Sequence, residues 1–74
     1  MDVIAVFEKG VLKPARFRWQ GKTHKIARIT GQWKSQIGTD WVRHFAVVDT
    51  QGNVSELTYN ERLTVWVISR VWVE

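Results

Sequence analysis

Arg16-Phe17-Arg18-Trp19 alternates cation and ring, and Gln20-Gly21-Lys22 follows at once. Guanidinium and ammonium groups meet phosphate oxygens, and aromatic faces stack on bases. A period of two puts Phe17 and Trp19 on one face of a strand and Arg16 and Arg18 on the other. If the chain turns at Gln20-Gly21, Lys22, Lys25 and Arg28 come from the adjacent strand onto a shared outer face, and Lys34 extends the patch. Cations lined up this closely repel one another unless acids or an anionic ligand offset them. DNA or RNA is the natural ligand of that kind, with salt-sensitive affinity. Trp33, Trp41 and Trp72 are the tryptophans placed for exposure, where base stacking on single strands is available.

Charge is unevenly spread. Residues 9–43 hold nine Lys/Arg against Asp40 alone, and the rest of the chain holds Arg62 and Arg70 against six acids. Such asymmetry marks an anionic partner. Its competing reading is that basic and acidic strands lie side by side and pair across the sheet.

Other chemistries are poorly served. The chain has no cysteine, so a disulfide or a cysteine-centred metal site is excluded. Two histidines, His24 and His44, lack the further ligands of a metal set, and the five glycines form no phosphate-cradling cluster. Ser35, Ser55 and Ser69 stand in no nucleophile-elbow context. The expectation is a non-enzymatic binding module without cofactor or metal, His24 and His44 being half-buried strand residues.

The elements that must position these side chains are strands. Val3 to Glu8 is apolar and β-branched, and Lys9-Gly10 breaks it. Pro14 fits the mouth of the second strand, which alternates from Ala15 to Gln20. Lys22 to Lys34 changes phase: His24 and Ile26 share one parity, Ala27, Ile29 and Trp33 the other. A β-bulge near Ile26-Ala27 puts both sets on the core face and turns Arg28, Thr30 and Gln32 outward. Gly31 permits a bend, and Ser35 to Asp40 reads as a loop. Trp41 to Asp49 is apolar on both faces, as in a central strand. Val54 to Tyr59 pairs back with Leu57 and Tyr59 inward, and Asn60-Glu61-Arg62 is a turn. Leu63 to Val73 is the last strand. Val65, Val67, Val71 and Val73 face one way and Trp66, Ile68 and Trp72 the other, with a bend at Ser69-Arg70.

Seventy-four residues make one domain, residues 1–74. A core this small depends on large side chains, and each aromatic ring buries roughly 150–250 Å². The expected core is Phe17, Trp19, Ile26, Ile29, Phe45, Val47, Leu57, Tyr59, Val65 and Val67. The fold class is all-β: a small antiparallel roll or partly open barrel of five to six strands, with a two-sheet sandwich as the other way to close it. The longest apolar run, Val3 to Phe7, is far short of the about 20 residues of a membrane helix. Asp2 stands where a signal peptide has basic residues. A cytoplasmic protein with no membrane partner is expected.

From Pro14 to Lys22 the chain resembles a family of small, uncharacterised bacterial β domains. These begin with proline, run through a basic and aromatic stretch to tryptophan, turn on glycine and lead to another tryptophan, here Trp33. Phe45 with Val47, Glu56-Leu57-Thr58-Tyr59, Trp66 and Arg70 are similar to the later landmarks, so the likeness spans about residues 14 to 70. His24 stands where the family has an aromatic such as tyrosine. Some members are appended to proteins similar to Y-family-like DNA polymerases and others stand alone. The resemblance implies DNA transactions and assigns no site. The alternative partner is another protein, or a second copy, bound through the C-terminal strand.

Overall fold

A computed structural model describes residues 1–72 as six antiparallel strands in one sheet of order β1-β2-β3-β4-β5-β6. They are β1 (Asp2–Glu8), β2 (Val11–Trp19), β3 (Lys22–Ile37), β4 (Asp40–Asp49), β5 (Val54–Asn60) and β6 (Val65–Trp72). Each strand pairs with its chain neighbour, and the sheet does not close into a barrel. The all-β class and strand number are those expected. No described helix is long and apolar enough to cross a membrane. Val73, which the sequence pattern assigned to the last strand, lies outside the described residues.

Two-residue turns set the first hairpins. Lys9-Gly10 (φ 54° and 77°) and Gln20-Gly21 (φ 52° and 76°) have both central residues left-handed, the type I′ geometry that matches strand twist. The third hairpin also turns tightly, at Gly38-Thr39. The loop expected from Ser35 to Asp40 is therefore strand at both ends: Ser35 pairs with Val42, Gln36 with Trp41 and Ile37 with Asp40. Of these six residues Val42 is buried, while Gln36, Ile37 and Trp41 are exposed, so no apolar alternation marks Ser35–Ile37 as strand. Pro14 also lies deeper in its strand than expected. It sits opposite Ala5, where the β1–β2 register shifts, and β2 pairs with β3 only from Arg16 onward. The missing N–H of Pro14 thus falls at a ladder irregularity, where proline is tolerated.

β3 joins two parts of the sheet. Lys22–Lys25 pairs with β2, and from Ile26 onward β3 pairs with β4. Its register shifts twice, at Ala27 and at Thr30. The first is the expected bulge, and it brings both Ile26 and Ile29 onto the core side. The second was not expected, and it reverses the faces beyond it.

The core is Phe17, Phe45, Val47 and Leu57, with Val3, Trp19, Ile26, Ile29, Trp66 and Ile68 packed against it. Val65 and Val67, expected inside, are 46% and 51% exposed. Tyr59 pairs with Trp66 and Leu57 with Ile68, so the opposite face of β6 turns inward. Trp66 packs on Tyr59 and Phe45 with ring centroids 4.8 Å and 5.6 Å away. Both faces of β6 are apolar, and the wider ring fills the core better than a valine pair. A register shift at Ser69, close to the expected bend, then sends Trp72 to the side of Val65 and Val67.

Candidate nucleic-acid interface

In an antiparallel ladder, directly opposed residues share a face. Opposite pairs on β2 and β3 are Arg16 with Lys25, Phe17 with His24, Arg18 with Thr23 and Trp19 with Lys22. Phe17 is core, so Arg16, Arg18 and Lys25 stand on the outer face. Arg28 joins them, because it opposes Val48 while Ile29 opposes the buried Val47. Four of the six expected cations are thus gathered on one surface. All four are exposed, and among the described residues no carboxylate lies within ion-pair distance of any of them. Arg16 and Lys25 oppose each other directly, a like-charge pairing that destabilises the sheet by about 0.2–1 kcal/mol. Asp2, opposite Arg18, is the acid closest to the patch in register. Arg16 and Arg18 line a groove of about 230 Å³ with Asp2, Ile4, Phe17 and Thr23.

The other two cations leave this face. Lys22 opposes Trp19 and lines a core-side cavity with Phe17, His24 and Ser55. Lys34 opposes Arg43, and both reach the Glu61 carboxylate, Lys34 Nζ at 3.3 Å. The ammonium of Lys34 also lies 5.7 Å from the Trp41 ring centroid. The Arg43 hydrogen bond, opposed by partial desolvation and aided by Lys34, holds the Glu61 carboxyl below its usual range. Lys34 therefore belongs to a local ion cluster.

The bulge at Thr30 that turns Lys34 inward turns Trp33 outward. The expectation that Trp33 shares the core face with Ile29 is corrected, and its expected exposure is found: it is 45% exposed. Trp33 lies flat against His44 on β4, ring centroids 5.0 Å apart and planes within 6°. His44 is itself held at both nitrogens. Glu56 can only accept, so Nδ1 carries the proton toward Glu56 Oε2 (3.4 Å), and the Ser35 hydroxyl donates to Nε2 (2.7 Å). Hydroxyl, imidazole and carboxylate have the connectivity of an acyl-transfer relay. Such a site also needs a substrate pocket and oxyanion donors. Ser35 is half-buried beside Trp33 and the buried Val42, and Trp33 and His44 line a pocket of about 140 Å³ with Gln32, Lys34, Arg43 and Phe45. The hydrogen bonds to Ser35 and Glu56 hold the His44 imidazole against the Trp33 ring. Single-sequence reading missed this cluster because its members lie on three strands, and only the ladder brings them together.

His24 has a different role. Its ring stacks on Phe17 at 4.8 Å on the core side, and Nδ1 donates to Asp49 Oδ2 at 2.9 Å. Asp49 also accepts from the backbone N–H groups of Gln51 and Asn53, both at 2.9 Å, and so ties the β4–β5 turn. Burial disfavours its charged form, but the hydrogen bonds from His24, Asn53 and Gln51 outweigh burial and hold the carboxyl below its usual range. Among the described residues no three His, Asp or Glu side chains are placed to hold a metal ion.

The outer face continues beyond Arg28 as rows of directly opposed residues. One row runs Arg28, Val48, Val54, Trp72; the next Gly31, Ala46, Glu56, Arg70; the third Trp33, His44, Thr58, Val67. Cations and exposed rings therefore occupy one continuous surface, floored by small residues. No protein-family model, curated protein or solved structure matches the chain.

Proposed function

We propose that this domain is a non-enzymatic nucleic-acid-binding module that engages phosphates through Arg16, Arg18, Lys25 and Arg28. The observation that carries the reading is the gathering of these four cations, unpaired among the described residues, on one face of adjoining strands. Lys22 and Lys34 are dropped from the phosphate set, since one faces the core side and the other serves Glu61. The resemblance to domains appended to polymerase-like proteins points the same way, and a cytoplasmic location fits such a partner.

The test is fluorescence anisotropy with labelled DNA and RNA at several salt concentrations. Four phosphate contacts give a log–log salt slope of about −3 to −4. Arg28→Ala lowers its magnitude by about one and weakens all sequences alike, whereas Lys34→Ala leaves it unchanged. A slope near zero, or affinity weaker than about 1 mM at low salt, overturns the reading. A second reading, contact with another protein or a second copy through β6, draws on the exposure of Val65 and Val67 on that edge strand.

A further inference from the structure

We infer that the outer face selects single-stranded over duplex nucleic acid, with Trp33 as a pre-set stacking surface and Trp72 as a second. This deepens the proposed function and rests on it. A duplex hides its base faces, and a single strand offers them to any exposed aromatic plane. Trp33 is such a plane. One face of its ring is backed by His44 at 5.0 Å, and Ser35 and Glu56 fix that imidazole by hydrogen bonds at its two nitrogens. On the other side of β3 the ladder with β2 ends at Lys25, so no described strand flanks Trp33 there. A ring held in place loses less rotamer freedom on binding than a free one.

Position on the sheet adds to this. Trp33 follows Arg28 along the outer face of β3, and Trp72, 43% exposed, closes the row that Arg28 opens. From strand spacing and rise, the two tryptophans stand roughly 20 Å apart. Between them lie Gly31, Ala46, Val48 and Val54, too short to lift a base off the sheet, with Arg70 opposite Glu56. Backbone-tracking cations beside exposed rings on a shallow floor are the elements of single-strand recognition. Trp41 supplies an internal control, being exposed on the opposite face beside Lys34.

The experiment compares a labelled oligothymidylate of about 12 nucleotides with a duplex of the same length, using the whole chain. The wild-type protein binds the single strand more tightly, with quenching of tryptophan emission. Trp33→Ala weakens single-strand binding by about 5- to 150-fold and leaves duplex binding unchanged. Trp33→Phe, which keeps a ring and guards against loss of folding, retains most of the affinity, and Trp41→Ala changes nothing. Equal affinity for both forms, with Trp33→Ala neutral and Arg28→Ala still reducing the salt slope, overturns the single-strand inference and leaves the basic-face reading standing. Failure to bind either form overturns both.

Discussion

Asp49 shows how much one side chain decides. It is buried, it accepts from His24, Gln51 and Asn53, and it links the core-side stack of Phe17 and His24 to the β4–β5 turn. Its folded-state pKa lies below its unfolded one, so its stabilisation is complete above the unfolded value near pH 4 and is lost as pH falls through the folded one. Asp40, held down chiefly by the Arg62 hydrogen bond, and Glu61, held down chiefly by Arg43, act in the same direction. The urea midpoint should therefore drop between pH 5 and pH 3, as followed by tryptophan fluorescence. Asp49→Asn should cost about 1–3 kcal/mol at pH 7 and reduce that drop. An unchanged acid limb in the variant would place the linkage elsewhere. Nothing in the local sequence marks Asp49 apart from other turn acids; its partner His24 is distant in the chain, and pairing across the fold is what buries it.

At the level of elements, bulges decide which residues meet the core and which meet solvent. The bulge at Ala27 was legible, because two apolar sets of opposite parity follow one another between His24 and Trp33 and only an inserted residue reconciles them. The bulge at Thr30 left no such trace: Gln32, Trp33 and Lys34 tolerate either face near the strand end. That single residue removes Lys34 from the cation patch and adds Trp33 to the outer face. Lys22 was legible in principle, since a two-residue turn at Gln20-Gly21 makes Trp19 and Lys22 partners. On β6 both parities are apolar, so the pattern could not choose, and packing against Tyr59 and Phe45 did. Chemical denaturation checks this choice: Ile68→Ala should cost about 2 kcal/mol and Val67→Ala under about 0.5 kcal/mol. The reverse order would restore the valine face to the core.

For the molecule as a whole, the open meander leaves β1 and β6 as edges. Val65 and Val67 are exposed on β6, and Ile4 and Phe7 on β1. Exposed apolar edges invite pairing with another chain. The cations beside β1 and β2 oppose it, since two copies brought together there repel. Analytical ultracentrifugation at moderate salt should therefore find an 8.7 kDa monomer. A dimer that resists salt and is lost on Trp72→Glu would instead favour the β6 contact as the biological one. Between the first hairpin and β5–β6 a cleft of about 340 Å³, lined by Phe7, Leu12, Tyr59 and Trp66 among others, lies where a closed barrel would be filled.

By itself the sequence determined the all-β class, the turns at Lys9-Gly10 and Gln20-Gly21, the inward Phe17 and Leu57, and the outward Arg16 and Arg18. These follow from alternation and from left-handed turn residues, which act over a few neighbours. Tertiary structure alone decided the face of β6, the exit of Lys34, the face of Trp33 and the stack that backs it. Those depend on register between strands far apart in the chain. A shift of one residue there reverses every side chain beyond it.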